Sequence, residues 1–339
     1  MKTALIGLGM VSSTFADAIL NSQQVELKKI YARSAESRSG FLSDFPALGA
    51  KAAENVEEIA DDPEIDFVIL ATPPNARADI ADTLVRARKP ILMEKPVERT
   101  LAAATALVEK CEAADLPLGI VFQHRTRPMV ASLRAAMPKL GALISAEVSI
   151  PWWRPQSYYD EPGRGTYERD GGGVLLSQAI HTLDLLLSLT GPASKVIAMT
   201  GTSGFHNMES EDFVSAGVLF ENGALGQIFA STASFPGRGE TIALHFQNGS
   251  ARLEPARLTI DWQDGRSTTH GKAGDSGAGA DPMAFTSDWH RFVVEDFAEA
   301  ISTGRPPLVP GREALTVHRL IAALEESGRT GTRVAVQGA

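Results

Sequence analysis

Cysteine is almost missing from this sequence. Cys111 stands alone among 339 residues, so no internal disulfide staples the fold. It lies in a helical pattern, Glu109-Lys110-Cys111-Glu112, without the neighbours of a catalytic thiol, and reads as a packed helix residue. Long apolar runs are wanting too: nothing approaches the roughly 18 unbroken apolar residues of a membrane span. The opening residues, Met1-Lys2-Thr3-Ala4-Leu5-Ile6-Gly7, pass at once into a strand pattern, without the apolar core of a signal peptide. Charge of one sign is never gathered. A net charge of -9 is spread along the chain, which argues against a nucleic-acid or anionic-membrane surface. A cytoplasmic protein of two domains is expected.

What is present has the order of an α/β chain. Residues 3–8 form a short apolar run suited to a strand buried on both faces. Gly7-Leu8-Gly9-Met10-Val11-Ser12 follows, and Phe15, Ala16, Ile19 and Leu20 then recur at helical spacing. Strand, glycine turn and helix are what a pyrophosphate site requires. Gly7 permits the tight turn, Gly9 lets the backbone approach phosphates, and the helix N-terminus offers unpaired N–H groups. Ser12 takes the third glycine position and is small enough for close packing.

The second strand, 25–31, ends in Ala32-Arg33-Ser34, with no acidic residue to hold a ribose 2′-hydroxyl. Arg33, Ser34 and Arg38 offer a 2′-phosphate site instead, since the arginine fork matches phosphate oxygens. Two exposed arginines at a helix N-terminus are the plainer alternative. NAD(P) is the expected cofactor, NADP favoured over NAD, and no metal site is expected.

A buried strand over 67–71 runs into Thr72-Pro73-Pro74-Asn75, where two prolines turn the chain over the expected dinucleotide. A helix over 75–87 leads to Ile91-Leu92-Met93 and then Glu94-Lys95-Pro96. A lysine at that strand end points its ammonium into the crevice where open α/β folds bind ligands, and proline stops the strand behind it. The tripeptide alone equally describes a solvated turn. A helix over 101–113 and a strand over 118–122 complete a doubly wound parallel sheet. Residues 1–122 are therefore read as a Rossmann domain.

Residues 123–339 read as a substrate-binding and oligomerisation domain, an α+β unit with a large, mostly antiparallel open sheet. After a short helix over 128–137 and a strand over 143–150, Trp152, Trp153, Arg154, Tyr158, Tyr159, Arg164 and Tyr167 crowd one loop-like stretch. Rings that stack beside arginines and hydroxyls suit a polyol pocket; the same residue types build subunit interfaces. Gly171-Gly172-Gly173 leads into a helix over 174–189 carrying Ser177, His181 and Asp184, the first two on one face. The glycines bring its first turns close to other backbone. Alternating strands over 196–200, 213–220, 224–230, 241–246, 251–253 and 258–262 follow, with Asn222-Gly223 and Asn248-Gly249 as hairpin turns. The glycine-rich 271–281 reads as a mobile surface loop. Helices over 287–302 and 312–327 close the chain, the last packing back toward the N-terminal domain.

Gly7-Leu8-Gly9-Met10-Val11-Ser12, Ala71-Thr72-Pro73-Pro74-Asn75, Glu94-Lys95-Pro96, the Gly171-Gly172-Gly173 run before His181-x-x-Asp184, and Glu295-Asp296-Phe297…Gly304-Arg305-Pro306 stand in a telling order. Together they resemble the glucose–fructose oxidoreductase, inositol dehydrogenase and rhizopine-catabolism (Gfo/Idh/MocA) family of NAD(P)-dependent oxidoreductases, over nearly the whole chain. The resemblance implies reversible hydride transfer at a carbinol or carbonyl carbon of a sugar, inositol or related polyhydroxy compound. It implies Lys95 and His181 as the catalytic pair, the lysine stabilising alkoxide charge and the histidine, with an ordinary pKa near neutrality, acting as base, or the lysine itself transferring the proton. Cofactor contacts are expected from Gly7, Gly9, Met10, Val11, Ala32, Arg33, Ser34, Arg38, Thr72, Pro73, Asn75, Glu94 and Lys95. Substrate contacts are expected from Lys95, Gln123, Trp153, Arg154, Tyr158, Arg164, Ser177 and His181. A homodimer or homotetramer through the C-terminal sheet is implied as well.

Two departures stand out. Ser177 occupies the position where relatives like inositol dehydrogenase carry aspartate one turn before the histidine, and Ala78 stands where the family often has histidine. Asp184 either orients the imidazole or holds the helix in place. Two other functions stay open: a redox-assisted glycosidase using transient hydride transfer, and a cofactor-binding regulator of sugar pathways. Keeping both Lys95 and His181 weighs against the regulator.

Overall fold

The apolar runs of the N-terminal half become six parallel strands: β1 (Lys2–Ile6), β2 (Glu26–Tyr31), β3 (Lys51–Ala52), β4 (Phe67–Leu70), β5 (Ile91–Glu94) and β6 (Leu118–Val121). Every residue of β4, β5 and β6 is buried, as a parallel sheet covered by helices on both faces demands. Their order is β3-β2-β1-β4-β5-β6. The direction of winding reverses between β1 and β4, the place where such sheets bind ligands at their carboxyl edge. The computed structural model describes residues 1–272, 279, 283 and 285–338.

Two units divide the chain, Met1–Gln123 with Thr286–Leu315, and His124–Phe285 with Thr316–Ala339. The first sheet's core thus takes in a distant segment. Val293, Val294, Phe297 and Ala298 of the helix Asp288–Thr303 pack in one cluster with Phe15, Phe67, Leu92 and Val121. Phe297 meets Phe67 edge-on at 5.4 Å. Gly119 makes room for it, because a Cβ there would lie 2.7 Å from the Phe297 ring. The segment that returns is Thr286–Leu315, which holds this helix and the start of the next. The last helix, Gly311–Thr330, which the sequence pointed to, only begins in the first unit and passes into the second after Leu315.

The second unit is built on nine strands: β7 (Leu143–Pro151), β8 (Ala193–Gly201), β9 (Phe213–Phe220), β10 (Leu225–Ser231), β11 (Thr241–Phe246), β12 (Gly249–Leu253), β13 (Arg257–Trp262), β14 (Ser267–Gly271) and β15 (Val334–Ala335). They run in the order β14-β13-β12-β11-β7-β10-β9-β8-β15. Among the described residues of this sheet only β7 and β10 pair in parallel; the other ladders are antiparallel. Both expected hairpins form, by different means. Gly223 turns with φ 87° between β9 and β10. Gly249 is needed for space instead, since a Cβ would sit 2.5 Å from the Asp261 carbonyl oxygen. The expected loop over 271–281 lies almost wholly outside the described residues; Gly271 itself ends β14.

Candidate active site

At the carboxyl edge of β1, Gly7 adopts φ 102° and donates its N–H to Tyr31 O at 2.9 Å. A Cβ at Gly7 would lie 2.6–2.7 Å from the Ala71–Thr72 peptide, so only glycine lets the ends of β1 and β4 meet. Around the Gly9 Cα the opposite holds: an added Cβ would meet nothing within 4 Å. Met10 is exposed, and Val11 precedes the helix Ser12–Leu20 without a side-chain cap. Ser12 turns its hydroxyl onto Gly9 O at 2.7 Å, so it packs in place of a third glycine. Open glycine backbone before an uncapped helix N-terminus is a cradle that fits a dinucleotide pyrophosphate.

The end of β2 is only partly as expected. Arg33 and Ser34 are exposed, and the Ser34 hydroxyl accepts from Ser37 N at 3.1 Å, capping the helix Ala35–Asp44. Arg38 is 9% exposed and turned inward. Its Nη1 donates to Ala32 O at 2.8 Å and its Nη2 to Glu54 at 3.0 Å. Its fork shapes the turn that a ribose would meet.

Two neighbouring turns carry the rest of this edge. Thr72-Pro73 leads into a short 3-10 turn, Pro74–Ala76, on which Asn75 is exposed. At the end of β5, Glu94 is buried and accepts the Lys95 N–H at 3.1 Å, and its other oxygen lies 3.6 Å from His290 Nε2. This carboxylate is used inside the protein, beneath the lysine, rather than at an exposed surface. Lys95 itself is half-buried. Arg77, 1% exposed, donates Nε and Nη2 to Thr72 O at 3.0 and 2.7 Å, Nη2 to Lys95 O at 3.4 Å, and Nη1 to Pro96 O.

In the second unit the helix bearing His181 opens on a π-helical turn, Leu175–Ala179, before the α-helix Ile180–Thr190. Gly173 earns its place there, because a Cβ would fall 1.8 Å from Glu211 O. The Glu211 carboxylate accepts from Gly173 N at 3.1 Å and Leu175 N at 3.0 Å, satisfying donors that the helix start leaves open. Burial raises the pKa of Glu211, and burial followed by Glu211 raises that of Glu325 to about 8. The wider turn changes the expected alignment of Ser177 with His181. Ser177 donates to Gly173 O at 2.5 Å, one turn back along its own helix.

His181 is 8% exposed and lies 5.1 Å, ring centre to ring centre, from His124, at an interplanar angle of 32°. Asp184 is gripped by Arg125, Nε to Oδ2 and Nη2 to Oδ1, both at 2.7 Å. Gln123, buried, closes the first unit just before them. Tyr158 and Arg164 come together: Arg164 Nη1 donates to the Tyr158 hydroxyl at 2.9 Å and its guanidinium stands 4.4 Å from the ring. Gln178 joins them to the π turn by a 3.4 Å bond to the same hydroxyl.

The remaining aromatic-stretch residues part company. Arg154 is 2% exposed and donates to the carbonyls of Trp153 and Gly279 at 2.7 and 2.5 Å, which makes it a buried brace. Trp153 faces Phe205 at 4.6 Å and Phe235 at 5.2 Å. Arg77, His124 and Gln178 were not among the expected site residues. For the first two a signal existed, since each is a charged or titratable residue beside a motif.

A glycine cradle under an uncapped helix and a lysine turn on the same sheet edge define a Rossmann-type oxidoreductase. Residues 1–122 match the oxidoreductase family with an NAD-binding Rossmann fold, and residues 134–252 match the GFO/IDH/MocA C-terminal domain. The chain belongs to the GFO/IDH/MocA family. It is 24% identical to the 1,5-anhydro-D-fructose reductase of Ensifer adhaerens, over 99% of this chain and 98% of that one. It is also 24% identical to the myo-inositol 2-dehydrogenase of Thermotoga maritima, over 92% of each. Levoglucosan dehydrogenase, solved with NADH and levoglucosan, shares the fold with a TM-score of 0.87 at 22% identity, over all of both chains. The chain is an NAD(P)-dependent dehydrogenase or reductase of the family that holds these enzymes. Among the described residues no helix is long and apolar enough to cross a membrane.

Proposed function

We propose that this enzyme moves hydride reversibly at a carbinol or carbonyl carbon of a sugar, an inositol or a related polyhydroxy compound. Lys95 carries the reading: a half-buried lysine ending a central strand, in a turn tied down by Glu94 and Arg77. Gly7, Gly9, Met10, Val11, Thr72, Pro73 and Asn75 would hold the dinucleotide, whose nicotinamide accepts or returns the hydride when bound. The Lys95 ammonium stabilises negative charge on the substrate oxygen and orients its hydroxyl. His181 takes the hydroxyl proton as hydride leaves and gives it back in reduction. Tyr158, Arg164, Gln178 and Ser177 address the other hydroxyls.

NADP is the preferred cofactor, through Arg33 and Ser34. Arg38 supports the turn through Ala32 and leaves the phosphate to its neighbours. A homo-oligomer forms through the open sheet, whose strands β8 and β10 leave Ile197, Met199 and Leu225 at 50%, 69% and 64% exposure; apolar residues so grouped are unusual on a monomer's surface. The lone buried cysteine suits the reducing cytoplasm.

The test is Lys95→Met, assayed against a panel of sugars and polyols with NADP and NAD. Turnover should fall below a tenth of the native rate while nucleotide binding persists. Activity above a tenth removes Lys95 from its assigned role.

A further inference from the structure

We infer that Arg77 is a positioning residue for hydride transfer, a side chain that sets the spacing between the Thr72-Pro73 turn and the Lys95-Pro96 turn. The inference rests on the proposed role of Lys95. A guanidinium that is 1% exposed must find acceptors for its N–H groups or pay heavily for leaving water. Arg77 finds them only in main chain: Thr72 O twice, Lys95 O and Pro96 O. These carbonyls lie on two separate segments at the ends of two adjacent strands, β4 and β5, which pair in parallel only as far as Leu70 and Met93. The ladder stops there among the described residues, and the planar fork spans the two turns beyond it.

Burial lowers the pKa of Arg77 to about 10, and the Glu94 and Glu98 charges oppose that fall, so the group stays cationic at neutral pH. Its charge strengthens each bond to carbonyl oxygen. A fixed fork between a turn over the nucleotide and a turn bearing the catalytic lysine does what near-attack geometry requires: it keeps two reacting partners from drifting apart.

Amide hydrogen exchange on the full chain tests this, comparing native protein, Arg77→Met and Arg77→Lys. In Arg77→Met, the amides of Thr72, Asn75, Lys95 and Val97 should exchange at least tenfold faster, with β1, β4 and β5 unchanged. In the same variant kcat should fall at least tenfold while nucleotide Kd moves less than threefold, and Arg77→Lys should recover part of the loss. A merely structural residue would lower the melting temperature and leave kcat per folded molecule intact. Native-like exchange in both turns, or kcat within threefold of native, overturns the inference. Should Arg77→Met fail to fold, Arg77→Lys decides: exchange at least threefold faster in both turns supports it, and unchanged exchange overturns it. Lys95→Met that keeps its activity defeats the Lys95 reading while leaving the exchange result standing, so the two failures are told apart.

Discussion

Arg125 holds Asp184 with two parallel hydrogen bonds, Nε to Oδ2 and Nη2 to Oδ1, each 2.7 Å long, and the carboxylate side chain is 2% exposed. Both oxygens of Asp184 are thus engaged by the segment that also carries His124. This pairing fits a role for Asp184 in holding the histidine's helix in place.

Removing either partner strands the other charge in the interior. Asp184→Asn should cost about 3–5 kcal/mol of stability, read by urea denaturation. Arg125→Met with Asp184→Leu should recover much of that loss. If Asp184→Asn is as stable as the native chain, the pair is not the clamp described.

Gly173 has no room for a methyl group, since the Cβ would fall 1.8 Å from Glu211 O. Gly173→Ala should therefore force the helix start away from its neighbour and lower stability by several kcal/mol, beyond the roughly 1 kcal/mol typical of point changes. Thermal melting checks it, and a change below 1 kcal/mol would contradict the packing.

Glu325 has its pKa raised to about 8, first by burial and then by Glu211. A carboxyl whose folded pKa lies above its ordinary 4.5 binds more protons folded than unfolded, so its contribution is complete below pH 4.5 and is lost as pH rises toward 8. Glu325→Gln has no such loss. Its stability relative to the native chain should rise through that window by a few kcal/mol, at about 1.4 kcal/mol per pH step, and level off above pH 8. A difference that stays flat from pH 5 to 8 refutes the shift.

Exposed Met199, on β8, is part of the face assigned to self-association. Met199→Glu should convert the oligomer into smaller species in sedimentation velocity with the sheet intact by circular dichroism. A native protein that sediments as a monomer ends this assignment.

Much of the fold was legible because its signals are local. The strands β4, β5 and β6 are continuous apolar runs, and the hairpin at Gly223 is written in two residues. What escaped notice lies where local pattern is silent. β14 reads Ser-Thr-Thr-His-Gly and is exposed along its whole length, so no alternation betrays an edge strand. β15 has two residues and exists only through its pairing with β8. The site shows the same limit. Lys95 and the glycine turn could be read from spacing, whereas Arg77 acts on carbonyls up to 19 residues away and His124 meets a histidine on another element. Arg38 shows the limit again: sequence places an arginine near the expected phosphate site, but not that it is buried, with Nη1 on Ala32 O and Nη2 on Glu54.

The account stands or falls on dinucleotide binding. The direct measurement is titration of the purified protein with NADPH and with NADH, following nicotinamide fluorescence. Saturable binding is predicted, with NADPH at least tenfold tighter, about 1.4 kcal/mol. Tighter NADH would remove Arg33 and Ser34 from the phosphate while leaving the oxidoreductase in place; binding of neither nucleotide would contradict the account.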